Sequence, residues 1–494
     1  MSASHVGLSE ARLSDLSARG IAVPTYDRRT VTTGVVHFGP GAFHRVHQAW
    51  YFDGALRHDP RWGLCEVALQ SAGVRDALAP QEGLYSVAIL DEQRSFAVIG
   101  AIKELLVARE SPTTVIHRLA DARTKLVTST VTEKGYCLRG DGSLDEAHPD
   151  IAHDLRNPDS PRSLIGYLAA GLRKRHKNGI APPTIISCDN LVDNGMRLRR
   201  GVLDYCTRLD AELEAWVRDA VAFPSSMVDS ITPATDDALR ALVASELGVT
   251  DRWPVQREFF TQWVIEDDFR NDHPDWSSIG VTVTDDVKGF ERAKLRLLNG
   301  AHSTLAYVGS LAGYETVAEA MADPSLSEFV MHMMHLDIVP TLNAPRGLDL
   351  QQYIDAVLRR FRNPAIRHLL AQIAWDGSQK LPFRLLGTIC DRLRSNEDVA
   401  RLALPIAAWM HFIRRKSLRG ESATDPLADA LIAIGAGTSG NTADVRAFLA
   451  VEKMFPRDLA ADPRFVAAIE RAYEALRDVT SSASLSVALA TKTF

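Results

Sequence analysis

An apolar run, Gly34-Val35-Val36-His37-Phe38, ends directly on Gly39-Pro40-Gly41-Ala42-Phe43-His44, and a helical pattern follows over roughly 42–57. A short run of this kind fits a strand buried on both faces. Glycine at its end lets the chain reverse sharply into a helix. Further strand-like runs stand at 64–69, 96–99, 125–131 and 184–188, with amphipathic stretches such as 113–121 and 161–177 between them. Strands that alternate with helices predict a parallel α/β sheet. From 286 onward the helical period takes over, at 290–312, 314–322, 349–362, 364–375, 397–415, 425–434, 442–453 and 463–477. The expected organisation is an α/β domain over 1–285 and a mainly helical domain over 286–494, with the Asp-, Pro- and Trp-rich stretch 270–278 as a loop near the boundary.

A glycine turn after a first parallel strand is a place where a dinucleotide pyrophosphate can approach the backbone. N–H groups that open the next helix then meet the phosphates. Gly39, Gly41, Ala42, Phe43, His44 and Arg45 are the candidate cofactor-binding residues. His44 occupies the third glycine position and Pro40 removes one donor, and a simple turn is the competing reading of so short a pattern. The acidic ribose ligand is expected at the tip of the second strand. There the chain reads Gln70-Ser71-Ala72-Gly73, with Glu66 inside the strand and Arg75 just beyond. A dinucleotide, NAD or NADP, is the expected cofactor, and these residues leave the choice between the two open.

The helical half contains Lys294-Leu295-Arg296-Leu297-Leu298-Asn299-Gly300-Ala301-His302. On an α-helix, Asn299 lies about 140° and His302 about 80° around the axis from Lys294, along a groove about 12 Å long. An ammonium whose pKa is lowered can serve as a base, and an amide can polarise a carbonyl. The alternative for the same residues is an ordinary solvated helix face with a structural histidine.

Composition narrows the classes. The 494 residues are 46% hydrophobic and 24% charged, enough for two or more domains with real cores. A net charge of −6 argues against a nucleic-acid surface as the main function. Five cysteines, at 65, 137, 188, 206 and 390, form no CxxC pair, so they read as buried thiols of a reducing compartment. No Cys/His metal spacing is present, and no metal is expected. The polar start MSASHVGLSEARLSDL has no signal-peptide core, and no stretch approaches a membrane span. A cytoplasmic location is expected, without membrane or nucleic-acid partners.

Several segments resemble, in order, those of the mannitol 2-dehydrogenase family, the polyol-specific long-chain dehydrogenases. They are Gly39 through Gln48, Thr130-Val131-Thr132-Glu133-Lys134-Gly135-Tyr136-Cys137, Ser187-Cys188-Asp189-Asn190-Leu191, Phe223-Pro224 with Met227-Val228-Asp229-Ser230-Ile231-Thr232-Pro233, Gln262-Trp263-Val264-Ile265-Glu266-Asp267, the Lys294–His302 stretch, and Asp376-Gly377-Ser378-Gln379-Lys380. The resemblance implies an α/β Rossmann-type N-terminal domain followed by a mainly α-helical C-terminal domain. It implies nicotinamide-dependent, metal-independent oxidation of a secondary alcohol. By resemblance Lys294 is the general base, Asn190 and Asn299 donate to the developing oxyanion, and His302 orients the substrate. Asp229 and Lys380 hold its other polar groups, and Glu133 relays protons.

The family's substrates include mannitol, fructuronate, tagaturonate and arabinitol. Mannitol members carry an Arg four residues before the Asp of the last motif, where this chain has Gln372. A sugar acid needs a cation for its carboxylate, and Arg296, Lys380 and Arg384 are the candidates. Trp253-Pro254-Val255 and Ser230-Ile231-Thr232-Pro233 lean toward mannitol enzymes. The expectation is D-mannitol/D-fructose, with D-mannonate/D-fructuronate or another polyol such as arabinitol as alternatives. A catalytically weak sugar- or cofactor-binding member is the alternative of another class. A monomer or weak homo-oligomer is expected.

Overall fold

The structure, a computed structural model, describes residues 6–490 apart from 92. The first five residues of the polar N-terminal segment lie outside the described residues. The chain forms two compact units, Met1–Lys288 and Gly289–Phe494.

The first unit is built on a five-stranded sheet. Its strands are β1 (Thr33–Phe38), β2 (Gly63–Ala68), β3 (Ile102–Val107), β4 (Leu126–Ser129) and β5 (Thr184–Ser187), in the order β3-β2-β1-β4-β5 with every pair parallel. The period of two explains why both faces are covered. Val36, Phe38, Cys65, Val67, Val127 and Ile185 enter one core with Leu119, Leu168 and Leu198. Their neighbours Val35, Leu64, Leu126 and Ile186 enter another with Phe52, Trp62 and Trp263. The order of crossovers reverses between β1 and β4, so the carboxyl ends of these two strands flank the crevice where such sheets bind ligands.

Beyond this sheet lie β6 (Ser226–Asp229), β7 (Gln262–Glu266) and β8 (Thr282–Thr284), β7 pairing antiparallel with β6 and parallel with β8. The run expected at 96–99 forms Ser95–Ile99, which pairs with Tyr85–Leu90 in a separate small sheet. The helix expected over 42–57 breaks at His47, between Ala42–Val46 and Gln48–Ala55. The His47 ring is drawn aside, with Nε2 2.9 Å from the Gln262 carbonyl oxygen.

The second unit is helical, and among the described residues no strand follows Thr284. The helix expected over 364–375 shrinks to Leu370–Ile373. An isolated bridge between Thr316 and Leu369 holds the preceding backbone extended. Among the described residues no helix is long and apolar enough to cross a membrane. Cys65, Cys137, Cys188 and Cys206 are buried and free, and Cys390 is half-buried and free. Burial pushes the thiols up, Cys137 and Cys206 to about 12.

Gly39 sits where the turn is tightest. Its φ is +97°, and a Cβ there would lie 2.2 Å from the Thr130 carbonyl oxygen. Gly39→Ala therefore clashes backbone against backbone at the end of the two central strands. The variant is expected to lose NADH affinity by at least roughly tenfold or to melt several degrees lower, read by NADH fluorescence titration and thermal denaturation.

Candidate active site

In the first unit the candidate residues sit at the carboxyl ends of neighbouring strands. Glu133 follows β4 and opens a short 3₁₀ turn, Glu133–Tyr136. Asn190 follows β5 by three residues, and Asp229 closes β6 opposite Gln262. Glu133 and Asn190 are exposed, while Asp229 is buried.

Beneath them lies a polar network that the sequence reading did not single out. Thr132 N–H donates to Asp189 Oδ1 at 2.8 Å, and Val131 N–H to Oδ2 at 3.1 Å. Tyr136 Oη donates to the same Oδ2 at 2.6 Å and lies 2.6 Å from Ser187 Oγ. Asn194 Nδ2 donates to the carbonyls of Ser187, Asp189 and Ser226, and its Oδ1 accepts from Ser226 N–H. Burial pushes Asp189 up, against the pull of Tyr136 and the two amides. Thr132 has φ 67° and ψ 163°. That region is nearly reserved for glycine and costs a β-branched residue about 1–3 kcal/mol.

The glycine turn confines two of the cofactor-binding candidates to their backbone. The side chains of His44 and Arg45 are fully buried and face the interior, so only their backbone is left to meet a cofactor. His44 Nε2 lies 2.7 Å from Glu66 Oε1, and its ring stacks on His37 with centroids 3.3 Å apart. Arg45 donates to the Trp253 carbonyl at 2.7 Å, between the rings of Tyr85 and Trp253. His37 Nε2 in turn lies 3.1 Å from the Gly39 carbonyl oxygen and 3.0 Å from Thr130 Oγ1. His37, His44 and Glu66 bring donor atoms within 4.8 Å of one another. The lone pairs of imidazoles stacked at 15° run side by side and do not converge on one ion. The cluster is suited to sharing a proton: burial raises Glu66 to about 7 and lowers His44 to about 3.

In the second unit the Lys294–Asn299 segment is wound as a π-helix, followed by α-helix over Gly300–Thr304. The wider i→i+5 turn carries Asn299 back over Lys294, so the two share a face instead of standing about 140° apart as on an α-helix. Lys294, Asn299 and His302 are all buried. His302 packs on Phe361 and meets His368 edge-on, with ring centroids 4.5 and 5.0 Å away, and its Nε2 has no hydrogen-bond partner. Burial, and then His368, Arg384 and Arg360, hold His302 well below the usual imidazole range, so it is neutral near pH 7.

A second π-segment, Pro382–Leu386, packs against the first where Gly300 faces the Arg384 carbonyl oxygen, 3.1 Å from a would-be Cβ. Arg384 Nη1 donates to Ser303 Oγ at 3.0 Å, and burial lowers its pKa to about 10. Lys380 is half-buried, and desolvation followed by the charge of Arg384 lowers its pKa. Arg296 leaves the set of substrate-binding candidates: it is paired with Asp391 at 2.6 Å and donates to Thr341. Gln372 lies exposed on the Leu370–Ile373 helix.

A strand-ordered nucleotide-binding sheet with a glycine turn, and a helical unit that buries Lys, Asn and His together, define a two-domain oxidoreductase. The chain belongs to the mannitol dehydrogenase family: residues 33–278 match the mannitol dehydrogenase Rossmann domain and 286–477 the mannitol dehydrogenase C-terminal domain. It is 40% identical over 466 residues to the D-mannonate oxidoreductase of Escherichia coli, covering 92% of this chain and 96% of that protein. It is 38% identical to the mannitol 2-dehydrogenase of Aspergillus fumigatus, covering 94% and 95%. The solved structure of Pseudomonas fluorescens mannitol 2-dehydrogenase in ternary complex with NAD and D-mannitol matches with a TM-score of 0.83 at 36% identity, covering 98% and 100%.

The buried carboxyl has a measurable signature. Glu66 keeps its proton up to about 7, against the ordinary 4.5, so between these values the native state holds a proton that the unfolded chain has released. Stability from this group is therefore lost as pH rises through that interval. Glu66→Gln carries no such proton. Between about pH 5 and about pH 8 the wild-type melting temperature is expected to fall relative to that of the variant.

Proposed function

We propose that the protein is an NAD-dependent dehydrogenase that interconverts a secondary alcohol and a ketone at C2 of a six-carbon sugar acid, with D-mannonate and D-fructuronate as the pair. The observation that carries the choice of a sugar acid is Arg384. Among the described residues it makes no ion pair, its one hydrogen bond goes to a neutral serine, and Lys380 lies within its field. A desolvated guanidinium without an acidic partner suits a carboxylate supplied by the substrate. The E. coli relative named D-mannonate oxidoreductase supports this reading.

The residues at the turn fit the cofactor. Gly39 packs against the Thr130 carbonyl at the end of the central strand, and at Gly41, which precedes the Ala42–Val46 helix, a Cβ would meet nothing nearer than the Gly39 carbonyl oxygen at 3.9 Å, so space is left beside the turn. Arg75, the residue that leaves NADP open, is already paired with Asp76 at 2.9 Å and with Glu110. This favours NAD, the cofactor bound by the Pseudomonas relative. When bound, the nicotinamide supplies the hydride acceptor. Lys294 takes the hydroxyl proton in oxidation and returns it in reduction. Asn190 and Asn299 donate to the oxygen as its charge develops. Neutral His302 orients the substrate through its unpartnered Nε2, Asp229 holds a hydroxyl, and Glu133 passes the proton to water. Lys380 joins Arg384 on the carboxylate.

The second reading is D-mannitol and D-fructose, favoured by the mannitol-named relatives. Initial rates of NADH and NADPH oxidation with D-fructuronate and D-fructose separate the two. A higher kcat/KM on fructuronate is expected, and a higher value on fructose selects the second reading. Arg384→Leu is expected to lower kcat/KM on fructuronate by roughly 10- to 100-fold, the worth of a charge-assisted hydrogen bond. Lys294→Ala is expected to lower kcat by about 10²- to 10⁴-fold with the fold intact, and near-normal turnover would remove the lysine from the mechanism.

A further inference from the structure

Thr132 and Asp189 stand one residue before Glu133 and Asn190. The loop after β4 carries a β-branched residue in a backbone region where glycine is the natural occupant. A strained residue of this kind persists only where its surroundings over-determine it. Here the surroundings are one carboxylate, whose two oxygens accept the N–H groups of Val131 and Thr132 in succession and the Tyr136 hydroxyl as well. Asp189 is itself held: Asn194 takes its carbonyl, and Tyr136 is braced by Ser187 and Ser129 at the ends of β5 and β4.

We propose that Asp189 is a positioning residue that clamps the loops after β4 and β5 in one register and so sets Glu133 and Asn190 together for the reaction. This rests on the roles given above to Glu133 and Asn190. The clamp needs a carboxylate. An asparagine keeps one acceptor oxygen and turns an NH2 toward the other donors, so at least one of the two amides loses its partner. Thr132 is then free to leave its positive φ, and Glu133 moves with it.

The test uses the full-length protein as wild type, Asp189→Asn, and Asp189→Asn combined with Thr132→Gly, with circular dichroism to confirm folding. Hydrogen–deuterium exchange follows the peptide over 130–137, with the helix Leu164–Lys177 as internal control. In Asp189→Asn the loop peptide is expected to exchange about tenfold faster while the control helix is unchanged, and kcat is expected to fall about tenfold with KM for NADH within about twofold. Adding Thr132→Gly is expected to restore at least roughly half of the lost kcat, because glycine occupies positive φ without strain. Formate is expected to raise kcat of Asp189→Asn, since a mobile acid replaces a misplaced proton relay but does not repair a collapsed fold. Unchanged exchange in the loop overturns the clamp, whatever the activity. A loss of kcat that neither Thr132→Gly nor formate relieves overturns the positioning role. If the wild type reduces no ketose but the loop responds as expected, the clamp stands and the catalytic reading falls.

Discussion

The approach of the Gly39 backbone to the Thr130 carbonyl is the contact on which the first unit depends. β1 lies between β2 and β4 with both faces covered, so it has no solvent side on which a bulky turn residue could be accommodated. Polar groups at its end must be matched within the protein, since an unmatched buried group costs about 1–3 kcal/mol. His37 answers this, bridging Thr128, Thr130 and the Gly39 carbonyl from the strand itself. The stacked His44 and its partner Glu66 extend the same arrangement into β2. A turn that presents its outer surface to a ligand is thus fastened from behind by a row of buried polar side chains.

The same logic recurs one and two strands further along. Asp189, Tyr136 and Asn194 close the ends of β4, β5 and β6 with hydrogen bonds that run between loops and not along strands. Such links determine where exposed residues next to them point. Glu133 and Asn190 have exposed side chains, yet the chain immediately before each is among the most constrained in the unit. A precise site on loops requires this division between exposed side chains and a fastened backbone.

The helical unit brings Lys294 and Asn299 onto one face by a change of winding. π-segments are rare in helices and occur often at functional positions, and here four are present among the described residues. Two of them carry Lys294, Asn299 and Arg384, and Gly300 lets them meet at backbone distance. His302 and His368 are held neutral by burial beside Arg360 and Arg384, and Lys380 is lowered by burial and by Arg384 while Asp376 and Asp425 raise it.

The local order of residues by itself determined the strand–turn–helix start, the parallel sheet, the helical second half and the Lys294, Asn299, His302 set, because periodicity and glycine placement act over a few neighbouring positions. It also displayed Asp189 and Arg384, but as letters in a motif and in a list of cations. What each touches was decided by tertiary structure. Asp189 meets amides 58 and 57 positions away, and Arg384 reaches a serine 81 positions away. Arg296 looked equally available until folding paired it with an aspartate 95 positions on. The side chains of His44 and Arg45 looked available beside the turn until β2 and the Trp253 loop closed over them. A side chain's charge is local information; whether that charge is matched is settled only when distant segments pack against it.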